Sequence, residues 1–291
     1  MAKVREIKKI AIVLSGGLAR GAAQLAFAKE IVEKVGYDRI CVLSGSSIGS
    51  INCYSLAVKN YEGMLNFYRK LDCNSTSHFM KKIRNDLFED AFNNIEGDTI
   101  YVPTYITGTR VFGLTCHYFC INNMPREDIK SAINVSMSFP LINGPLRFNH
   151  HYWIDGGATD NIPVLPTTYF DPDMVIILHC YPKYYPPENL YLKLRKEAIV
   201  IDVDVTLQLP KTITSFSLAK TDFHKMMKIA SEEGKKFVEE IFPDFDMAKT
   251  KERCFAFTNR NLPARCEKGG DGLMGLVDVL NVLYLLREDI A

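Results

Sequence analysis

Ser47 stands in Gly45-Ser46-Ser47-Ile48-Gly49, a G-x-S-x-G pentapeptide between an apolar run, Arg39 to Ser44, and a segment of helical spacing. A serine so placed can serve as a nucleophile if the chain turns sharply from strand to helix. The turn exposes the hydroxyl, and small flanking residues let the two elements nearly touch. Gly45 and Gly49 supply that room, and the start of the helix beyond favours developing negative charge. The pentapeptide alone arises by chance about once in ten chains of this length, so its surroundings must carry the assignment.

Upstream lies a second glycine cluster, Ser15-Gly16-Gly17-Leu18-Ala19-Arg20-Gly21, directly after the apolar run Ile10 to Leu14. It precedes a helix expected from Ala22 to Val35, with Leu25, Ala28, Val32 and Val35 on one face and Gly36 as its stop. Such a turn aims backbone N–H groups at an anion: a dinucleotide phosphate, a nucleoside triphosphate, or the oxyanion of an acyl-transfer intermediate. A dinucleotide fingerprint needs glycine where Leu18 stands. A triphosphate loop needs Lys and then Ser or Thr where Ala22 and Ala23 stand. An oxyanion hole needs only the N–H groups, and it accounts for glycine turn and serine elbow on successive strand-helix units. The third element is Trp153-Ile154-Asp155-Gly156-Gly157, followed by Asp160-Asn161-Ile162-Pro163. Taken alone it is a common Asp-Gly turn.

Taken in order, the three motifs resemble those of the patatin-like phospholipases. The resemblance runs from Ile10 to Pro166 and includes Ala132 to Pro140, similar to the family's helix leading into a proline turn. It implies a three-layer α/β/α fold with a mostly parallel central sheet. It also implies hydrolysis of a fatty-acyl ester of a phospholipid, lysophospholipid or other acyl lipid, with no cofactor and no metal. Ser47 would be the nucleophile, Asp155 its base in a dyad without histidine, and the backbone of Gly16, Gly17 and Leu18 the oxyanion hole. Arg20, Gly21, Gly45, Gly49, Gly156 and Gly157 complete the motifs. In one respect the chain departs from the family: Leu18 replaces the usual third glycine. Either the turn keeps φ below zero there, or the oxyanion hole is displaced.

That departure motivates a second reading, a lipid-binding or interaction protein that has lost catalysis. A third is a carboxylesterase or thioesterase with a Ser-Asp-His triad, for which His179, at the end of the run Met174 to Leu178, and His224 follow Asp155. His150 and His151 are expected in an exposed turn. Cys41 and Cys180 lack any motif comparable to that of Ser47 and are read as core. A carboxylate of ordinary pKa is a weak base at neutral pH, so a dyad requires Asp155 to be desolvated.

The elements that must position these residues alternate: strand Ile10 to Leu14, helix Ala22 to Val35, strand Arg39 to Ser44, helix Ile48 to Val58, which implies a parallel sheet. Helices are expected at Tyr61 to Leu71, at Met80 to Phe92, after Pro125, and from Ala219 to Phe242. Strands are expected at Tyr101 to Ile106, Leu114 to Phe119, Met174 to Leu178 and Cys254 to Thr258. Residues 1–205 are read as the catalytic domain and 206–291 as a mainly helical addition packed on it. The Tyr- and Pro-rich segment Tyr181 to Tyr191 reads as a lid or a stiff linker.

With 291 residues, 47% hydrophobic and 24% charged, the chain can build one large α/β core, and its net charge of +1 argues against a commitment to nucleic acid. Lys3, Arg5, Lys8 and Lys9 form a basic patch, read as a solvated N-terminus before a peripheral contact with a membrane surface. The run Gly272 to Leu286, interrupted by Asp278 and Asn281, is too short to span a bilayer and reads as an amphipathic or buried helix. No secretory signal is evident at the N-terminus, and eight cysteines without C-x-x-C suit a reducing compartment, so a cytoplasmic location is expected.

Overall fold

Ile10–Leu14 (β1) and Met174–His179 (β7) are buried along their whole length, as strands inside a parallel sheet must be. The computed structural model describes residues 5–71, 87–139, 143–180 and 198–267. β1 lies between β2 (Ile40–Ser46) and β7, parallel to both, and β7 continues in parallel to β8 (Ile199–Asp204). On the other side β2 pairs in parallel with β3 (Thr104–Arg110). The sheet then becomes antiparallel, through β4 (Thr115–Cys120), β5 (Leu146–Phe148) and β6 (His151–Asp155). The fold is α/β with a central, mostly parallel sheet of eight strands.

The alternation of side chains across this sheet builds two cores. Ile10, Ile12 and Leu14 point into the larger one. There they join residues of α1 (Gly21–Val35), α2 (Ile48–Ala57), α3 (Tyr61–Lys70), α4 (Leu87–Asn93), α5 (Arg126–Ser136) and α6 (Lys220–Ile241). Ala11, Val13, Val175 and Ile177 face the other side, where Ile162 and Val164 cover them. A 3-10 turn, Leu165–Phe170, follows on that face and packs Phe170 on Tyr105. α6 lies along α1, with Phe237 against Phe27 at 5.4 Å and Gly234 over Glu30.

Three expectations shift. The strand placed at Tyr101 to Ile106 begins at Thr104 and runs to Arg110, because Pro103 has no N–H to give a ladder. The run Cys254 to Thr258 is not a strand but lies in α7 (Met247–Glu267). A five-residue β-rich run is too short to reveal its period, and Phe257 packs on Phe237 at 5.2 Å from that helix. β5 and β8 were not expected as strands. Of the helix expected at Met80 to Phe92, α4 is the described part. The Tyr181 to Tyr191 segment and the run Gly272 to Leu286 lie outside the described residues.

Candidate active site

The register of β3 decides where Ser47 and Asp155 meet. β4 occupies one edge of β3 along Tyr105 to Arg110, so β2 and β6 must share the other edge. β2 runs up that edge until Ser46 lies opposite Thr107, and β6 runs down it until Asp155 lies opposite Gly108. The C-terminal ends of the two strands therefore abut. Gly156 is required at this junction: a Cβ there would sit 2.3 Å from the Thr107 carbonyl oxygen and 2.9 Å from Ser46 Oγ.

Ser47 follows at φ 52, ψ −128, a conformation that costs a non-glycine residue of order 1–3 kcal/mol and must be held by its surroundings. Several contacts hold it. A Cβ on Gly45 would lie 2.5 Å from the Gly49 carbonyl oxygen, and one on Gly49 would lie 2.3 Å from that of Leu14, so turn, strand and helix are in contact. The Ser47 N–H donates to Ser136 Oγ at 3.0 Å. Ser136 Oγ is 2.6 Å from Ser50 Oγ, which in turn reaches the Gly45 carbonyl at 3.2 Å. Each hydroxyl has one proton, so Ser50 donates to Gly45, Ser136 donates to Ser50, and a lone pair of Ser136 is left for Ser47. Sequence reasoning missed both serines as site residues; the only signal was the motif-like segment around Ser136.

Ser47 Oγ donates to Asp155 Oδ2 at 2.6 Å, and Gly157 N–H donates to Asp155 Oδ1 at 2.7 Å. Asp155 is buried, and burial pushes its carboxyl up to about 6, against the opposing pull of the Ser47 and Gly157 hydrogen bonds. A base that titrates near 6 is far better matched to a serine proton than an ordinary aspartate.

The glycine turn closes the third side. A Cβ on Gly16 would fall 2.9 Å from Ser47 Cβ and 2.5 Å from Asn161 Oδ1, and one on Gly17 would fall 2.6 Å from Cys180 Sγ. Gly16 N–H is taken by Asn161 Oδ1 at 3.1 Å. Among the described residues, the N–H groups of Gly17 and Leu18 have no partner. Leu18 adopts φ 49, so the turn does not keep φ below zero there; it takes the left-handed conformation at a cost of about 1–2 kcal/mol. Beneath the turn, Gln24 Nε2 donates to the carbonyls of Ser15 and Leu178 at 3.0 and 2.9 Å. Asn52 ties Gln24 to Gly21, and the Tyr68 hydroxyl donates to Asn52. Buried Arg20 donates to the Cys180 and Ile213 carbonyls at 3.3 Å each. Gly21 packs against Ile48 of α2.

From Ser47 an apolar cleft extends along Leu18, Ile48, Met64, Phe67 and Phe88. The other candidates lie elsewhere. His179 is buried at the end of β7, with Nε2 2.5 Å from Asp202 Oδ1 on β8. His224 lies on α6, beside Lys29 and Arg69. Among the described residues, the Asp155 carboxylate bonds to Ser47 and Gly157 and to no histidine. Burial pushes the Cys41 thiol up to about 11 and that of Cys180 to about 12, so neither is a thiolate at neutral pH. His150 is in an exposed turn, but His151 opens β6.

A serine elbow, an Asp-Gly-Gly turn and a glycine turn converge on Ser47, which lines the cleft, and a family model described as patatin-like phospholipase matches residues 12–168, more than half of the 291. The chain belongs to the patatin-like phospholipase family. It is 27% identical over 179 residues to "Probable lipid hydrolase 463L" of Invertebrate iridescent virus 6, covering 53% of this chain and 61% of that protein. It is 28% identical over 167 residues to "Neuropathy target esterase sws" of Drosophila melanogaster, covering 53% of this chain and 12% of that protein. Among solved structures, VipD from Legionella pneumophila aligns with a TM-score of 0.42 at 12% identity, over 79% of this chain and 68% of that one. Human GIVD cytosolic phospholipase A2 aligns with a TM-score of 0.41 at 9% identity, over 90% and 60%. No helix among the described residues of this patatin-like chain is long and apolar enough to cross a membrane.

Proposed function

We propose that the protein is a serine acyl hydrolase that cleaves fatty-acyl esters of lipids, of phospholipase A or lysophospholipase type, through an acyl-enzyme on Ser47. The observation that carries this reading is the direct hydrogen bond from Ser47 Oγ to Asp155 Oδ2, 2.6 Å long, on a serine that lines an apolar cleft. Asp155 takes the hydroxyl proton as Oγ attacks the ester carbonyl carbon. The negative charge that develops on the carbonyl oxygen is met by the uncommitted N–H groups of Gly17 and Leu18 and by the N-terminus of α2, which starts one residue after Ser47. The Asp155 carboxyl then returns the proton to the departing alkoxide. In the second half, Asp155 takes a proton from water as its oxygen attacks the acyl carbon, then returns that proton to Ser47 Oγ as the bond to the acyl carbon breaks and the fatty acid is freed.

The cleft favours an acyl chain over a polar acyl group, since Met64, Phe67, Leu71 and Phe88 offer it apolar surface. A Ser-Asp-His arrangement is disfavoured by the engagement of His179 with Asp202. The test is fatty-acid release from phosphatidylcholine, lysophosphatidylcholine and a neutral acylglycerol. Release by the parent chain and not by Ser47→Ala supports the reading, and no release from any of the three by folded protein counts against it.

A further inference from the structure

Turn residues are usually polar or glycine. The turn between β3 and β4 is Val111-Phe112-Gly113-Leu114, three apolar residues in four, and Leu114 accepts φ 46 to stay in it. Phe112 is 73% exposed, and its ring stands 6.4 Å from that of Tyr152 on β6, itself 46% exposed. Against a solvated tip, this places two aromatic rings in water at the end of the sheet, where folding gives them nothing to cover.

The charges beside them have one sign. From Arg110 to His117 and from Leu146 to Trp153 there is no acidic residue, while Arg110, His117, Arg147, His150 and His151 are all present. Arg39, Arg69, Arg126, Arg253 and Arg260 are each paired with a carboxylate. Arg110 instead meets the ring nitrogen of His151 at 3.0 Å, and exposed Arg147 has no partner among the described residues. Arg147 lies opposite Tyr152, on the face of that ring, and Arg110 lies opposite Trp153 on the other face, so each face of the sheet end carries one guanidinium. Burial holds His117 below its ordinary value, and the positive charge of Arg110 and His151 adds to the shift.

The position of this tip matches the site. β3 runs past the end of β2, from Thr107 opposite Ser46 to the Phe112 turn, five residues or about 16 Å at strand rise. The β5–β6 turn at Asn149 and His150 lies beside it, because β6 is antiparallel to β3. Both turns project beyond the edge of the sheet that carries Ser47.

From this geometry we infer that the β3–β4 and β5–β6 turns form a docking surface for an anionic lipid bilayer, with Phe112 and Tyr152 entering the interface and Arg110 and Arg147 meeting acidic headgroups. Aromatic rings settle at the boundary between headgroup and acyl chain, and each arginine near an anionic surface adds to the attraction. The role of the surface, holding the cleft against the membrane that contains its substrate, rests on the acyl-hydrolase reading. The binding itself does not.

The test uses the full chain carrying Ser47→Ala, so that vesicles are not consumed, in sedimentation with vesicles of phosphatidylcholine alone and of phosphatidylcholine mixed with phosphatidylserine. Binding to the mixed vesicles is expected, with a loss of about tenfold in partitioning for Phe112→Ser and a reduced preference for phosphatidylserine for Arg147→Gln. Phe112→Trp is expected to retain binding, and its emission to shift to the blue on vesicle addition, against the constant background of buried Trp153. Turnover of a soluble short-chain ester by the same variants with Ser47 restored is expected to be unchanged, which shows the fold and the chemistry intact. The inference is overturned if the parent does not bind mixed vesicles, or if Phe112→Ser and Arg147→Gln bind as the parent does. Vesicle binding without any ester turnover would overturn the hydrolase reading and leave the docking surface standing.

Discussion

Ser46 and Asp155 are end-to-end neighbours on one edge of β3, the first opposite Thr107 and the second opposite Gly108. Two strands of opposite direction thus terminate against each other, and the residue after the first and the last residue of the second are brought within a hydrogen bond. The geometry of the pair is a property of the sheet register, held by backbone pairing and not by the reach of a loop.

Asp155→Asn separates catalysis from stability. It is expected to lower kcat/KM about a thousandfold while retaining the fold, since an amide keeps the acceptor for Gly157 N–H but cannot take a proton. The parent's kcat/KM is expected to fall tenfold per pH unit below about 6, as Asp155 becomes protonated. For stability the sign is opposite. The native carboxyl binds its proton more tightly than the unfolded one, so its contribution is fully present at low pH and is lost as pH rises through about 6. Asn carries no such cost, so thermal melts should show it more stable than the parent by of order 2–3 kcal/mol above pH 6, with the gap closing below pH ~4.

Ser136→Ala removes the acceptor of the Ser47 N–H and leaves that buried group unpaired. A loss of about 1–3 kcal/mol in stability is expected. A drop in kcat of order tenfold with little change in KM should accompany it, because the elbow loses a contact that fixes Ser47 and not one that holds substrate.

Leu18→Gly relieves a side chain at φ 49 but exposes one wall of the cleft. Stability should change by less than about 1 kcal/mol, since relief of strain is offset by glycine's greater freedom when unfolded. The N–H is retained, so kcat toward a short-chain ester should stay within a few-fold, while KM rises for long-chain esters. A large fall in kcat for both would mean that the leucine side chain itself shapes the oxyanion turn.

Gly156→Ala puts a Cβ 2.3 Å from the Thr107 carbonyl oxygen, a backbone atom that cannot move without parting β3 from β6. Destabilisation beyond about 4 kcal/mol is expected in denaturant unfolding. An alanine variant that folds normally would mean that the strand ends have more room than the register allows.

Much of this was legible in the sequence. Gly45 and Gly49 declared a tight strand-to-helix turn, and the runs Ile10 to Leu14 and Met174 to Leu178 declared interior parallel strands, because continuous apolar runs with tight turns leave few other folds. Ser136 and Ser50 were not legible as site residues, since a serine on a helix carries no local mark of a hydrogen bond made across 89 or 86 positions. β8 escaped because Asp202 and Asp204 interrupt its apolar pattern; one meets His179 and the other caps the following turn at Thr206. Leu18 shows the limit of residue-type rules. A leucine takes positive φ only at a cost, so its type left the conformation of the turn open, and only the packed structure gives φ 49.

The central claim is that Ser47 is activated by Asp155 without a histidine. Labelling by a fluorophosphonate, with the modified residue located by mass spectrometry, tests it most directly. Labelling of the parent at Ser47, its loss in Ser47→Ala, a fall of about a thousandfold in rate for Asp155→Asn, and labelling of folded His179→Ala near the parent's rate are predicted. Abolition of labelling by His179→Ala with Asp155→Asn unaffected, or no label on Ser47 in the folded parent, would contradict it.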